Sequence, residues 1–292
     1  MKIGFIGGGN MAQALMGGLV AKRIDADFVV VEPHATTRET LARTMRRIAL
    51  HDVPSADLTA CDAVVFAVKP QQFREAATSA ARWLGLAPTQ SPQQSSAQTT
   101  QHQMPLVISI AAGIRTQEIA HWLAAEHGHH PIVRTMPNTP ALIGEGIAGL
   151  YATPEVDARG RALAETLLGA VGQTLWVDDE AKLDAITAVS GSGPAYVFAF
   201  IEALQQGARE LGLSEEDARR LAVCTFVGAS RLAAASEEPI AVLRERVTSR
   251  GGTTHAALTR MQDAGVNAAI VDAVHAAARR SAELGSEFGR DA

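Results

Sequence analysis

The sequence predicts an α/β domain over residues 1–177 followed by an all-helical domain over 178–292, and three observations carry that prediction. Short apolar runs (Lys2 to Ile6, Phe28 to Val31, Ala63 to Val68, Leu106 to Ile110, Ile132 to Val133) alternate with segments of helical spacing. Such a rhythm specifies a parallel sheet with right-handed crossovers and helices on both faces. The first run ends in three glycines, and after Val177 every candidate element has helical spacing.

Taken in order, Lys2 to Ile6 reads as strand, the glycines as a tight turn and Asn10 to Lys22 as helix. Phe28 to Val31 is apolar throughout, as befits a strand buried on both faces, and Thr36 to Arg47 resumes a helical pattern. Residues 88–105 interrupt the rhythm with Gln, Ser, Thr and His. They hold too little apolar surface to offset their ordering entropy, so a mobile surface loop is expected. Two prolines around Asn138-Thr139 make a rigid turn after the last strand. Helices are then expected over Ala181–Val189, Pro194–Leu211, Glu215–Ala235, Thr254–Asp263 and Asn267–Glu287. Leu221 to Ala235 is apolar on more than one face, and about 115 residues cannot enclose several such helices alone. Dimerisation through this domain is therefore expected.

Composition narrows the function. The 292 residues have a net charge of −5, which offers no bulk attraction to nucleic acid or to an anionic membrane. Cys61 and Cys224 form neither a disulfide framework nor a zinc-site spacing, and their apolar neighbours predict inert thiols. No apolar run is long enough to span a bilayer, and the first nine residues are too short for a signal peptide, so a cytoplasmic protein is expected. His127, His129 and His130 lack supporting ligands for a metal and read as a solvated turn.

The turn after the first strand, Ile6-Gly7-Gly8-Gly9-Asn10-Met11-Ala12, fits G-x-G-x-x-A between a strand and a helix. There Gly7 permits the tight turn, Gly9 lets the backbone approach a pyrophosphate, and the helix N-terminus offers free N–H groups to the anion. This predicts a Rossmann dinucleotide site. Glu32 follows about 20 residues on, where a carboxylate takes ribose hydroxyls and repels a 2′-phosphate. His34, Thr36, Thr37 and Arg38 come next, and these could hold that phosphate or simply begin a helix. With repulsion by Glu32 and attraction by Arg38 of similar size, use of both NADPH and NADH is expected. Ala67-Val68-Lys69-Pro70 and the small residues around Ala112 end two further strands at the carboxyl edge of the sheet, where open α/β sheets bind ligands. Asn138 stands at the next edge, either aimed toward the nicotinamide or serving as a plain turn residue. Thr248 to His255 crowds glycines, hydroxyls and a cation at a helix start, a composition suited to a carboxylate or phosphate as well as to an ordinary cap.

In combination and order, FIGGGNMA, AVKPQ, SIAAG, RTMPNTPALIGEG, SGSGPAYVF and TSRGGTTHAAL resemble the pyrroline-5-carboxylate reductase family. The resemblance runs from Lys2 to about Glu287. It implies NAD(P)H-dependent reduction of 1-pyrroline-5-carboxylate to L-proline, the last step of proline biosynthesis, by a dimer that assembles into decamers in several members. It also implies that Ser249, Gly251, Gly252 and Thr253 hold the substrate carboxylate, that the Thr254 hydroxyl contacts the ring nitrogen, and that Glu180 lies close by. Lys69, Ala112 and the glycine turn would line the coenzyme. Two departures stand out: the insertion 88–105 is longer than the family needs, and Glu32 replaces a polar neutral residue that often serves NADPH. A cyclic imine carries its own electrophilic carbon, which accounts for a chain with no triad and no metal site. A β-hydroxyacid dehydrogenase of the same two-domain plan is the other reading, and it would need a lysine early in the helical domain, where Lys182 is found.

Overall fold

The computed structural model describes residues 1–84, 104–123 and 130–290. In chain order the elements begin β1 (Lys2–Ile6), α1 (Asn10–Ala21), β2 (Asp27–Val31), α2 (Ala35–Thr44), β3 (Ile48–His51), β4 (Ala63–Phe66) and α3 (Pro70–Ala80). They continue β5 (Leu106–Ser109), α4 (Thr116–Trp122), β6 (Ile132–Met136), β7 (Gly146–Ala152), α5 (Ala158–Gly169), β8 (Gly172–Trp176) and α6 (Lys182–Ile186). The helices α7 (Gly193–Glu210), α8 (Glu215–Ala235), α9 (Ile240–Arg246), α10 (Thr253–Asp263) and α11 (Val266–Arg290) complete the chain.

Among the described residues the strands form one eight-stranded sheet in the order β3-β2-β1-β4-β5-β6-β7-β8. Every neighbouring pair is parallel except β6 with β7, where Val133 opposes Ala152 and Met136 opposes Gly149 in antiparallel register. The order reverses between β1 and β4, whose carboxyl ends carry the glycine turn and Lys69. Alternate strand residues supply two cores, as a sheet covered on both faces requires. Ile3, Phe5, Phe28, Val30 and Val65 pack with Leu15 and Leu19 of α1 and Leu167 of α5. Val29, Val64, Phe66 and Val107 pack instead with Phe73 of α3 and Ile119 of α4, and the rings of Phe66 and Phe73 stack with centroids 5.0 Å apart.

The structure differs from expectation at several elements. β3, β7, β8 and the short α9 were not anticipated, and one antiparallel pair enters a sheet expected to be parallel. The chain separates into two compact units, Met1–Gly191 with Ala277–Ala292, and Ser192–Ala276. The last strand does end at Trp176, one residue before the expected boundary, yet α6 and the π-helical turn Thr187–Gly191 belong with the sheet. Their attachment is physical: Ile186 and Leu183 pack over Gly149, and a Cβ on Gly191 would stand 2.5 Å from Met136 Cε. The C-terminal part of α11 is also counted with the sheet, where Leu284 and Phe288 cover Gly113 and Ser281 donates to Asp184 at 2.7 Å.

In the second unit, α7 buries none of its 18 residues, and α8 buries only Ala218 and Ala222. Phe198, Leu221 and Leu232 are exposed, as a surface made for another chain would be. No helix among the described residues is long and apolar enough to cross a membrane. The expected surface loop lies, up to residue 103, outside the described residues, as do His127 and His129. His130 is not on a solvated turn: it is 3% exposed, and burial pushes its imidazole down to about 4. Cys61 is buried and its thiol is pushed up to about 12 by desolvation, whereas Cys224 is exposed, against the expectation of apolar surroundings for both.

Candidate functional site

The coenzyme end of the first unit is built by the β1–α1 turn. Gly7 adopts φ +98°, and a Cβ there would meet the Ala67 carbonyl oxygen at 2.7 Å, so only glycine lets the chain turn this close to the end of β4. Gly9 is the N-cap of α1 with no side-chain cap, and the space where its Cβ would stand is open. Uncapped N–H groups facing open space at a helix N-terminus fit a pyrophosphate. Ala12 is fully buried, as close packing of α1 on the sheet demands, while Asn10 is exposed and Met11 half-buried beside the turn.

Lys69 is the exposed N-cap of α3, directly after Ala67 and Val68, with Pro70 in the first turn. Ala112, half-buried, precedes Gly113, whose φ of +76° turns the chain after β5. These segments all lie at the carboxyl edge of the sheet, where the sequence placed them.

Glu32 is different from expectation. Its side chain is 9% exposed, and both oxygens are committed within the protein. Oε2 accepts the Gly8 N–H at 2.9 Å, and Oε1 accepts the His34 N–H at 2.9 Å and lies 2.7 Å from His34 Nδ1. Burial, the largest single influence, opposes its charge, but the N–H groups of His34 and Gly8 and the His34 ring together outweigh it and hold the carboxyl below its usual range. Arg38 donates through Nη1 to the backbone oxygens of Glu32 and Pro33, at 2.6 and 2.8 Å, and so straps the turn before α2.

Two further residues of the expected site are held by partners within the protein. Asn138 serves as a latch: Nδ2 donates to the Ser190 carbonyl at 3.2 Å and Oδ1 accepts the Ile147 N–H at 3.0 Å. Glu180, expected as an acid beside the reacting nitrogen, is already bound. It accepts the N–H and hydroxyl of Thr116 at 2.8 and 2.9 Å and pairs with the buried Arg134 at 3.0 Å. Sequence reading missed this cluster because Thr116 and Arg134 lie 64 and 46 residues away.

In the second unit, α10 begins one residue earlier than expected, at Thr253, with Gly252 as an N-cap that has no side-chain cap. Gly251 has φ +74°, and Gly252 N–H donates to the Ser249 carbonyl at 3.0 Å. A Cβ on Gly252 would collide with Ser249 Oγ, so the hydroxyl sits against the helix start. Thr254 is half-buried one position into the helix. Glycines, hydroxyls and free N–H groups at the start of an 11-residue helix suit a carboxylate. Among the described residues no cluster of potential ligands could hold a metal ion.

Comparison with known proteins gives matches over nearly the whole chain. Residues 180–284 match the family model described as pyrroline-5-carboxylate reductase dimerisation, and residues 2–85 match one described as NADP oxidoreductase, coenzyme F420-dependent. A pyrroline-5-carboxylate reductase of Pseudomonas aeruginosa is 42% identical over 99% of this chain and 98% of its own. The structure of a pyrroline-5-carboxylate reductase from Coxiella burnetii superposes with a TM-score of 0.84 at 35% identity, covering 97% of each chain. That of a Plasmodium falciparum pyrroline carboxylate reductase with NADP bound gives a TM-score of 0.79 at 26% identity over 98% of each. The chain belongs to the pyrroline-5-carboxylate reductase family.

Proposed function

We propose that the chain reduces 1-pyrroline-5-carboxylate to L-proline, with the uncapped glycine start of α10 as the substrate's carboxylate anchor. That helix start is the observation that carries the assignment of roles, because a ring acid needs an anion site with a hydroxyl one step inside it. Backbone N–H groups around Gly251, Gly252 and Thr253, with the Ser249 hydroxyl, hold the carboxylate. The Thr254 hydroxyl hydrogen-bonds the ring nitrogen and orients it as it takes up a proton. Bound reduced nicotinamide coenzyme supplies the hydride to the imine carbon.

The chain's own contribution is therefore positional. Ile6, Gly7, Gly8, Gly9, Asn10 and Met11 shape the pyrophosphate turn, and Ala67, Val68, Lys69, Pro70 and Ala112 line the coenzyme. Glu180 acts through its partners: by fixing the Thr116 N–H and Arg134 it holds the turn that carries Ala112. NADPH is the coenzyme and NADH a second one. The functional unit is a dimer formed through α7 and α8, dimers assemble into decamers, and the protein works in the cytoplasm. The β-hydroxyacid dehydrogenase reading is not favoured, since Lys182 pairs with Asp178 at an exposed surface. Oxidation of NADPH and of NADH by the purified protein, with and without 1-pyrroline-5-carboxylate, tests the reaction. Imine-dependent oxidation is expected, and its absence with both coenzymes overturns the reading.

A further inference from the structure

The residue at the end of β2 is where an open α/β sheet meets the adenosine ribose, and a free carboxylate there excludes a 2′-phosphate. Glu32 is not free. Three donors occupy its two oxygens, out of about four acceptor directions that a carboxylate offers. The Gly8 bond has the wider consequence. A Cβ on Gly8 would stand 2.8 Å from Leu41 Cδ1, so the carboxylate and Leu41 together fix the middle of the pyrophosphate turn.

His34 is the opposite case. Its side chain is 73% exposed while Nδ1 stays 2.7 Å from Glu32 Oε1. That contact ties Nδ1 to the carboxylate, and the rest of the ring, with its second nitrogen, is open to a ligand. Arg38, strapped to the backbone of Glu32 and Pro33, is the cation of this turn.

We propose that Glu32 is a positioning residue of the pyrophosphate turn for both coenzymes, and that His34 is the residue that admits a 2′-phosphate there. The proposal rests on the reading of the glycine turn as the NAD(P)H site. It departs from the simple charge rule, in which the acid at this position would itself choose NADH.

Calorimetric titration of NADP+ and NAD+ into the assembled protein tests it without turnover. For His34→Ala, affinity for NADP+ is expected to fall about tenfold while that for NAD+ stays within about twofold. His34→Asn, which keeps an N–H near Oε1 but lacks the second ring nitrogen, should retain NAD+ binding and recover only part of the NADP+ affinity. Glu32→Gln should weaken both coenzymes to a similar degree, because an amide cannot accept from all three donors. The KM for 1-pyrroline-5-carboxylate should not move in either His34 variant.

Equal loss of both coenzymes in His34→Ala, or no loss, overturns the role of His34. Tighter NADP+ binding in Glu32→Gln with loss of NAD+ alone overturns the positioning role and restores direct discrimination by the acid. If Glu32→Gln fails to fold by circular dichroism, the two substitutions at the exposed His34 decide whether that residue admits the phosphate. If the unaltered protein binds neither coenzyme, the coenzyme site itself is refuted, which is recognisable apart from any change in ratio.

Discussion

The sheet unit and the helical unit satisfy their apolar residues in different ways. In the first, Ile3, Phe5, Val64, Phe66 and Phe73 are fully buried by the chain's own helices. In the second, an 18-residue helix buries nothing, and Phe198 and Leu232 are 61% and 72% exposed. The first region encloses its apolar residues with its own elements, whereas the second presents them on a surface that its own helices leave uncovered. Self-association, which the family's dimerisation model supports over residues 180–284, covers that surface.

The largest expected effect comes from breaking the uncovered surface. Phe198→Glu combined with Leu232→Glu should convert the assembly to monomers by sedimentation and make the melting temperature of the remaining protein lower. In the unaltered protein that temperature should rise with concentration, because association is part of stability. A variant that stays associated would show that α7 and α8 face something else.

A core substitution in the first region should behave differently. Phe66→Ala removes a ring stacked on Phe73 and should cost about 3–5 kcal/mol while leaving the association constant nearly unchanged. Denaturant unfolding alongside sedimentation checks both halves of that statement.

The smallest effect sharpens the same contrast through pH. Folded His130 stays neutral down to about 4, while an unfolded imidazole takes its proton near 6.5. Between those values the unfolded chain binds more protons, so stability falls as pH is lowered, by about 3 kcal/mol in all. It is fully present above the upper value. His130→Met should flatten that limb of the stability profile, and an unchanged limb would place the acid sensitivity elsewhere.

How far these features could be read from the chain depended on the range of the interactions. β1, its glycine turn and α1 were legible because Ile3, Phe5 and Ile6, three glycines and a helical repeat stand side by side. β3 was not, having four half-buried residues at the edge of the sheet, and β7 was hidden by the small residues of GIAGLYA. The start of α10 was readable to within one residue, since its glycines and hydroxyls are contiguous. Glu32 was found as a position but not as an environment, because nothing local says that Gly8, 24 residues earlier, donates to it. Asn138 and Glu180 were singled out for chemistry and proved to be bound by Ile147, Ser190, Thr116 and Arg134, partners set by the fold.

The most direct test of the account is the Thr254→Ala protein, measured for turnover with 1-pyrroline-5-carboxylate and, separately, for coenzyme dissociation constant. Turnover is expected to fall about a hundredfold, as loss of a group at the proton-accepting nitrogen implies, with coenzyme affinity unchanged. Unchanged turnover, or a loss of coenzyme binding of the same size, would contradict the assignment of the α10 start to the imine.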